Sequence, residues 1–165
     1  MNLTNKTPKE LFRLYGEILI ELRDRSIIRS TNNPIADYGE LLFEKALDLT
    51  RTSKSTKGHD AVSANGVKYE VKARRITAHN GSRQLSALRA LDKGHFDFLA
   101  GILFREDFSV WKGCLVPRTV VAEHSAYRDH TNAWIFHLED GVWSYPGVVD
   151  VTDKLLVAEK SISGN

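Results

Sequence analysis

Residues 58–75 read GHDAVSANGVKYEVKARR. Two short alternating runs flank Asn65-Gly66. Asn-Gly in that setting is the strongest short-range signal for a two-residue hairpin, because both residues tolerate positive φ. The spacing predicts one strand over His59–Ala64 and its partner over Val67–Arg74. Side chains alternate along a strand. Lys68, Glu70, Lys72 and Arg74 therefore share one face, and Val67, Tyr69, Val71 and Ala73 form a core face. The neighbouring strand brings Asp60 up to Glu70 and Lys72. Two carboxylates side by side raise each other's pKa unless a cation lies between them. A hard cation such as Mg²⁺ takes carboxylate and carbonyl oxygens and keeps several waters, often using only one or two protein carboxylates plus substrate phosphates. Lys72 points to the same side, where an ammonium orients or activates water and offsets charge on a phosphate.

The totals allow this chemistry without demanding it. A chain of 165 residues with 42% hydrophobic content suits one globular domain over 1–165. No apolar run is long enough to span a bilayer, and the N-terminus carries no secretory pattern. The single cysteine, Cys114, excludes an internal disulfide and fits a reducing cytoplasm; lying in an apolar run, it reads as core. A net charge of +2 is only mildly basic, so the distribution of charge matters more than the sum. No His/Cys spacing supports zinc, and no glycine-rich phosphate loop is present.

Outward from the hairpin, Thr7-Pro8-Lys9-Glu10 supplies an N-cap, a proline at the first helical position and a capping-box glutamate for a helix to about Arg25. Its stripe of Leu11, Leu14, Tyr15, Ile18 and Leu22 must bury against the domain's own sheet or a partner subunit. A second helix follows Asn33-Pro34, from about Ile35 to Leu49. Glu40 near its start reads first as a favourable charge at a helix N-terminus, and alternatively as an outer carboxylate of the site. Residues 50–57, TRTSKSTK, are a polar loop whose Arg51, Lys54 and Lys57 can reach a phosphate backbone. After the hairpin, Arg74, Arg75, His79, Asn80, Ser82, Arg83 and Gln84 form a segment dense in donors to phosphates and base edges. Arg83–Leu91 reads as a short helix with Leu85, Leu88 and Leu91 inward. FDFLAGILF at 96–104 reads as a strand buried on both faces. Phe108–Val116 returns as another strand, and Pro117 opens a helix through about Ser125. Trp134–Leu138 is a strand, and Val151–Lys160 a final helix. The whole is an α/β (α+β) domain with a mixed central sheet flanked by helices.

An acidic residue on one strand followed by Glu-x-Lys on the next resembles the PD-(D/E)XK nuclease superfamily. The likeness is strongest at Gly58-His59-Asp60-Ala61-Val62 and Tyr69-Glu70-Val71-Lys72. With the apolar strand pair leading into Pro117, it is similar to the short, PvuII-like type II restriction endonucleases, from the second helix to about Val121. The resemblance implies a restriction-endonuclease-like core. It implies Asp60, Glu70 and the main-chain carbonyl of Val71 as ligands of Mg²⁺, with Mn²⁺ as a substitute, and Lys72 as the residue that positions or activates water. It implies hydrolysis of double-stranded DNA to 5′-phosphate ends by a homodimer in a bacterial or archaeal cytoplasm, with the N-terminal helix at the dimer contact and 76–84 reading bases. His59 replaces the motif's proline and points away from Asp60.

Three other readings stand beside this one. A structure- or damage-directed repair nuclease would use the same chemistry on branched or nicked DNA. A DNA-binding protein on the same fold would need none of the three site residues. Finally, alternating Lys and Glu can be the solvated face of an ordinary strand.

Overall fold

The computed structural model describes residues 2–53 and 58–163. Its centre is a six-stranded mixed sheet in the order β1-β2-β3-β4-β5-β8. The strands are β1 (Thr50–Arg51), β2 (Ala61–Val62), β3 (Lys68–Arg75), β4 (Phe98–Phe104), β5 (Val110–Pro117) and β8 (Val149–Asp150). β3 and β4 run parallel, with Glu70 beside Leu99 and Lys72 beside Gly101; the other neighbours are antiparallel. A separate ribbon pairs β6 (Ala126–Arg128) with β7 (Ala133–Ile135). Four α-helices complete the fold: α1 (Pro8–Asp24), α2 (Pro34–Leu47), α3 (Arg118–His124) and α4 (Thr152–Ser163).

β4 is the sheet's keel, with every residue from Leu99 to Phe104 buried. Its even-numbered side chains Ala100, Ile102 and Phe104 join Val71 of β3 against Leu42 and Phe43 of α2 and Leu155 of α4. Its Leu99 and Leu103 face the opposite way, into a cluster with Leu85, Leu88, Leu91, Val121, Phe136 and Leu138. Cys114 lies in this second cluster, fully buried, and burial pushes its thiol up to about 12.

The structure corrects four of the expected elements, and it also places Thr50–Arg51, expected within the polar loop, in strand β1. The hairpin closes through a three-residue loop. Val62 pairs with Lys68 and Ala61 with Tyr69. The Gly66 N–H donates to the Ser63 carbonyl at 2.9 Å, and the Ser63 N–H to the Val67 carbonyl at 3.0 Å. Gly66 takes φ +83°, while Asn65 is not among the positive-φ residues, so the two-residue turn with both φ positive does not form. Second, residues 83–90 form no helix, and only Leu91 enters a short 3-10 turn, Leu91–Lys93. Their backbone pairs with 134–138 instead: Leu85 N–H donates to the Phe136 carbonyl at 3.0 Å, and Leu88 and Trp134 exchange bonds of 2.9 and 2.8 Å. The three leucines do point inward, since a period of three also suits an extended chain. Third, α2 stops at Leu47, because Asp48 caps it in the left-handed conformation with φ 52°. Fourth, the strand expected at Trp134–Leu138 is β7, which starts a residue earlier and ends at Ile135.

α1 forms as its capping box dictates: the Thr7 hydroxyl caps the Glu10 amide, and the Glu10 carboxylate caps the Thr7 amide. Its apolar stripe does not settle on the sheet. Only Leu19 is buried, while Leu11, Tyr15 and Ile18 are exposed. No helix among the described residues is long and apolar enough to cross a membrane.

Candidate active site

Loop length decides which face Asp60 takes. A two-residue turn at Asn65-Gly66 would set Ala64 against Val67, and hence Asp60 against Val71 on the core face. One extra loop residue shifts the register by one and turns every side chain of the incoming strand over. Ala61 now lies opposite Tyr69 and packs into the core beside Val71. Asp60 falls on the side of Glu70. Its amide donates to the Tyr69 carbonyl at 2.8 Å, and its Oδ2 accepts from the Val71 N–H at 2.7 Å. The aspartate is thus pinned to the backbone of the strand that carries Glu70 and Lys72.

Lys72 Nζ lies 2.6 Å from Glu70 Oε1, and both side chains are only 16% exposed. Burial raises the Asp60 carboxyl's affinity for a proton, and the Glu70 charge raises it further. The Val71 amide, Lys72 and Arg29 oppose this without reversing it. The ionised form of Asp60 is therefore costly, first because it is poorly solvated and second because a like charge stands beside it.

Glu40 lies on α2, where the charge of Asp60 acts on its carboxyl. α2 can approach β3 closely because Gly39 faces the sheet: a Cβ there would stand 3.1 Å from Ala73 Cβ and 3.3 Å from Ile102 Cγ2. The next residue, Glu40, is half-buried. Its carboxyl is pushed up by burial first and by the Asp60 charge second, with Arg29 opposing. Arg29 forms an ion pair with Glu40 and donates from Nη1 to the Thr52 carbonyl at 2.8 Å. Sequence reasoning missed Arg29. It lies outside any motif, and only the tertiary approach of α2 reveals it.

The expected nucleic-acid contacts divide. His79, Asn80, Ser82 and Gln84 are exposed on the segment after β3. Arg74 organises that segment, donating to the Ser82 carbonyl at 3.0 Å and the Asn80 side chain at 3.2 Å. Arg83 is engaged internally, 2.9 Å from Asp140 and 4.6 Å above the Trp111 ring. Arg75 stacks 4.3 Å over Phe108. Arg51 pairs with Glu44 of α2. Lys54 and Lys57 lie outside the described residues.

Among the described residues, no three His, Cys, Asp or Glu side chains converge as a ready metal cage. Mg²⁺ does not require one, because it is commonly held by one or two carboxylates, waters and substrate oxygens. Asp60, Glu70 and the Val71 carbonyl are hard oxygen donors of that kind, and the like charge of Glu70 acting on half-buried Asp60 fits a cation. No protein-family model and no curated protein matches the sequence.

Proposed function

We propose that this chain is a Mg²⁺-dependent endonuclease of the PD-(D/E)XK kind, with a restriction-endonuclease-like core, acting on double-stranded DNA as a type II restriction endonuclease. The observation that carries this reading is Asp60 turned onto the face of Glu70 and Lys72, half-buried and under the like charge of Glu70. Asp60, Glu70 and the Val71 carbonyl would hold the cation. When bound, Mg²⁺ supplies Lewis-acid polarisation of a phosphoryl oxygen and a lowered water pKa. Lys72 holds a water in line with the scissile phosphorus. As the water oxygen bonds to phosphorus, the bond to the 3′-oxygen breaks, which leaves a 5′-phosphate and a 3′-hydroxyl. The Lys72 ammonium offsets charge on the phosphoryl oxygens. His79, Asn80, Ser82 and Gln84 offer donors and acceptors to phosphates and base edges.

Cutting both strands calls for two centres related by the duplex's twofold symmetry, which a homodimer provides. The exposed Leu11, Tyr15 and Ile18 of α1 supply an apolar surface for a second copy. The cytoplasm, where DNA and Mg²⁺ meet, is the compartment this reading assigns.

The test is incubation of the purified protein with supercoiled plasmid and phage DNA, in Mg²⁺ and in EDTA. A discrete, Mg²⁺-dependent ladder lost in Asp60→Ala and Glu70→Ala is the expected result. Cleavage confined to branched or nicked DNA would replace restriction by repair. DNA binding without cleavage in Mg²⁺ or Mn²⁺ would refute a nuclease.

A further inference from the structure

We propose that the turn between β4 and β5 presets the donor-rich segment 76–84, with Phe108 as a positioning residue that acts on it through Arg75. The inference rests on the nuclease reading for what the segment touches, but its geometry lies apart from Asp60, Glu70 and Lys72.

This turn repeats the plan of the loop between β2 and β3. In that loop the Ser63 N–H donates to the Val67 carbonyl, the Gly66 N–H donates to the Ser63 carbonyl, and Gly66 takes φ +83°. Between β4 and β5 the Arg105 N–H donates to the Ser109 carbonyl at 2.8 Å, and the Phe108 N–H to the Arg105 carbonyl at 3.1 Å. Phe108 thus stands where Gly66 stands, with φ +68°. A left-handed residue closes three-residue hairpin loops of this kind, and glycine takes that conformation at no steric cost. For a bulky side chain it is an outlier, and strain of this sort clusters at functional sites. Core packing does not account for it, because Phe108 is 36% exposed.

The ring carries Arg75, whose guanidinium carbon lies 4.3 Å from the ring centre, within cation–π range. Arg74 and Arg75 are consecutive on β3, so their side chains leave opposite faces. Arg74 bonds the segment directly, at the Ser82 carbonyl and the Asn80 side chain. Arg75 ties the end of the strand to the turn. A second link runs from the Ala78 N–H to Glu106 Oε2 at 3.3 Å. Between these links Thr77 and Asn80 exchange two backbone bonds of 3.1 Å. The segment therefore leaves the sheet as a closed loop braced from two sides. Exposed side chains on such a loop have less freedom to lose when they meet a duplex, and preordering of this kind favours binding. Arg75, expected from the sequence to touch DNA, serves instead as a strut.

Glycine at position 108 separates positioning from fold stability, because it relieves the left-handed strain and removes the ring together. The experiment compares wild type with Phe108→Gly, Phe108→Tyr, Arg75→Gln and the Phe108→Gly/Arg75→Gln double variant. Amide hydrogen exchange over 76–82 and thermal unfolding are measured on DNA-free protein. The constants kcat and KM are measured on duplexes carrying the site mapped from the phage-DNA ladder and on its single-base variants. Phe108→Gly should melt at or above the wild-type Tm. Its amides at 77–80 should exchange about fivefold faster, the worth of an exposed cation–π contact. Discrimination against the single-base variants should fall by a similar factor through KM, with kcat on the mapped site unchanged. Phe108→Tyr keeps the ring and should behave as wild type. Arg75→Gln should exchange as fast as Phe108→Gly, and the double variant no faster. Exchange unchanged in Phe108→Gly, or a lowered Tm with discrimination intact, would overturn the proposal. Should Phe108→Gly fail to fold, Arg75→Gln carries the same comparison. Wild-type protein that cuts no DNA refutes the nuclease reading, and exchange alone then decides whether the turn braces the segment.

Discussion

Replacing Asp60 by Asn should abolish cleavage and make the metal-free protein more stable. Asp60 is half-buried, and its carboxyl carries a raised proton affinity from burial and from the Glu70 charge. An acid whose folded pKa lies above its unfolded value binds protons more tightly in the folded state. Its ionised form therefore costs stability at neutral pH, and that cost vanishes as pH falls through the folded value. Asparagine removes the charge at every pH and keeps an oxygen for the Val71 N–H, which Asp60 engages at 2.7 Å. Removing a poorly solvated charge of this kind is worth about 1–2 kcal/mol. For a domain of this size that corresponds to roughly 2–8 °C in Tm. The assay is thermal unfolding in EDTA, from about pH 8 downward. The gap between Asp60→Asn and wild type should be widest at neutral pH. It should close as pH falls through the raised folded value towards the ordinary 3.8 of an aspartate, where the wild-type carboxyl takes up its proton. A variant no more stable than wild type at neutral pH, or a gap that ignores pH, would refute the claim that the ionised Asp60 costs the folded state stability.

Deleting Ala64 should leave a two-residue Asn65-Gly66 turn with Ser63 still opposite Val67, and hence Asp60 still across from Glu70, so Mg²⁺-dependent cleavage should survive; loss of cleavage while circular dichroism shows a folded sheet would refute the register argument. Gly39→Ala should gain helix propensity of about 1 kcal/mol but lose about 1–3 kcal/mol to crowding against Ala73 and Ile102, for a net loss of roughly 1 kcal/mol in urea titration. A net gain would mean that α2 has room to spare. Cys114, fully buried with its thiol pushed up to about 12, should ignore a disulfide reagent at about pH 8 and react only when urea unfolds the chain.

What the sequence disclosed is what alternation and composition control. The polar and apolar faces of β3 follow from period two, and β4 follows from an uninterrupted apolar run, because a strand covered on both sides has no polar face to show. Where one pattern fits two backbones, sequence alone is ambiguous. Leu85, Leu88 and Leu91 satisfy a helix and an extended chain equally, and the choice was made by unpaired backbone groups at 134–138 that a helix would have left without partners. The apolar stripe of α1 was legible as a stripe, but what covers it is a property of the surroundings.

The candidate site residues were legible by type and not by orientation, and the reason is Ser63. Asn-Gly alone specifies a two-residue turn, which would have buried Asp60 among apolar side chains. The Ser63 hydroxyl accepts the Val67 N–H at 3.1 Å and donates to the Asn65 side chain at 2.5 Å. Those bonds favour a loop one residue longer, with Gly66 alone in the left-handed conformation. A serine remote from any chemistry thus selects the register that sets Asp60 across from Glu70. Arg29 and Glu40 reach the same centre by an independent route, through the close approach that Gly39 allows. Both routes converge on one side chain, Asp60, whose charge neither fully neutralises. Packing alone does not call for that convergence, since an uncharged residue at 60 would be easier to fold; the proposed cation-dependent reaction does.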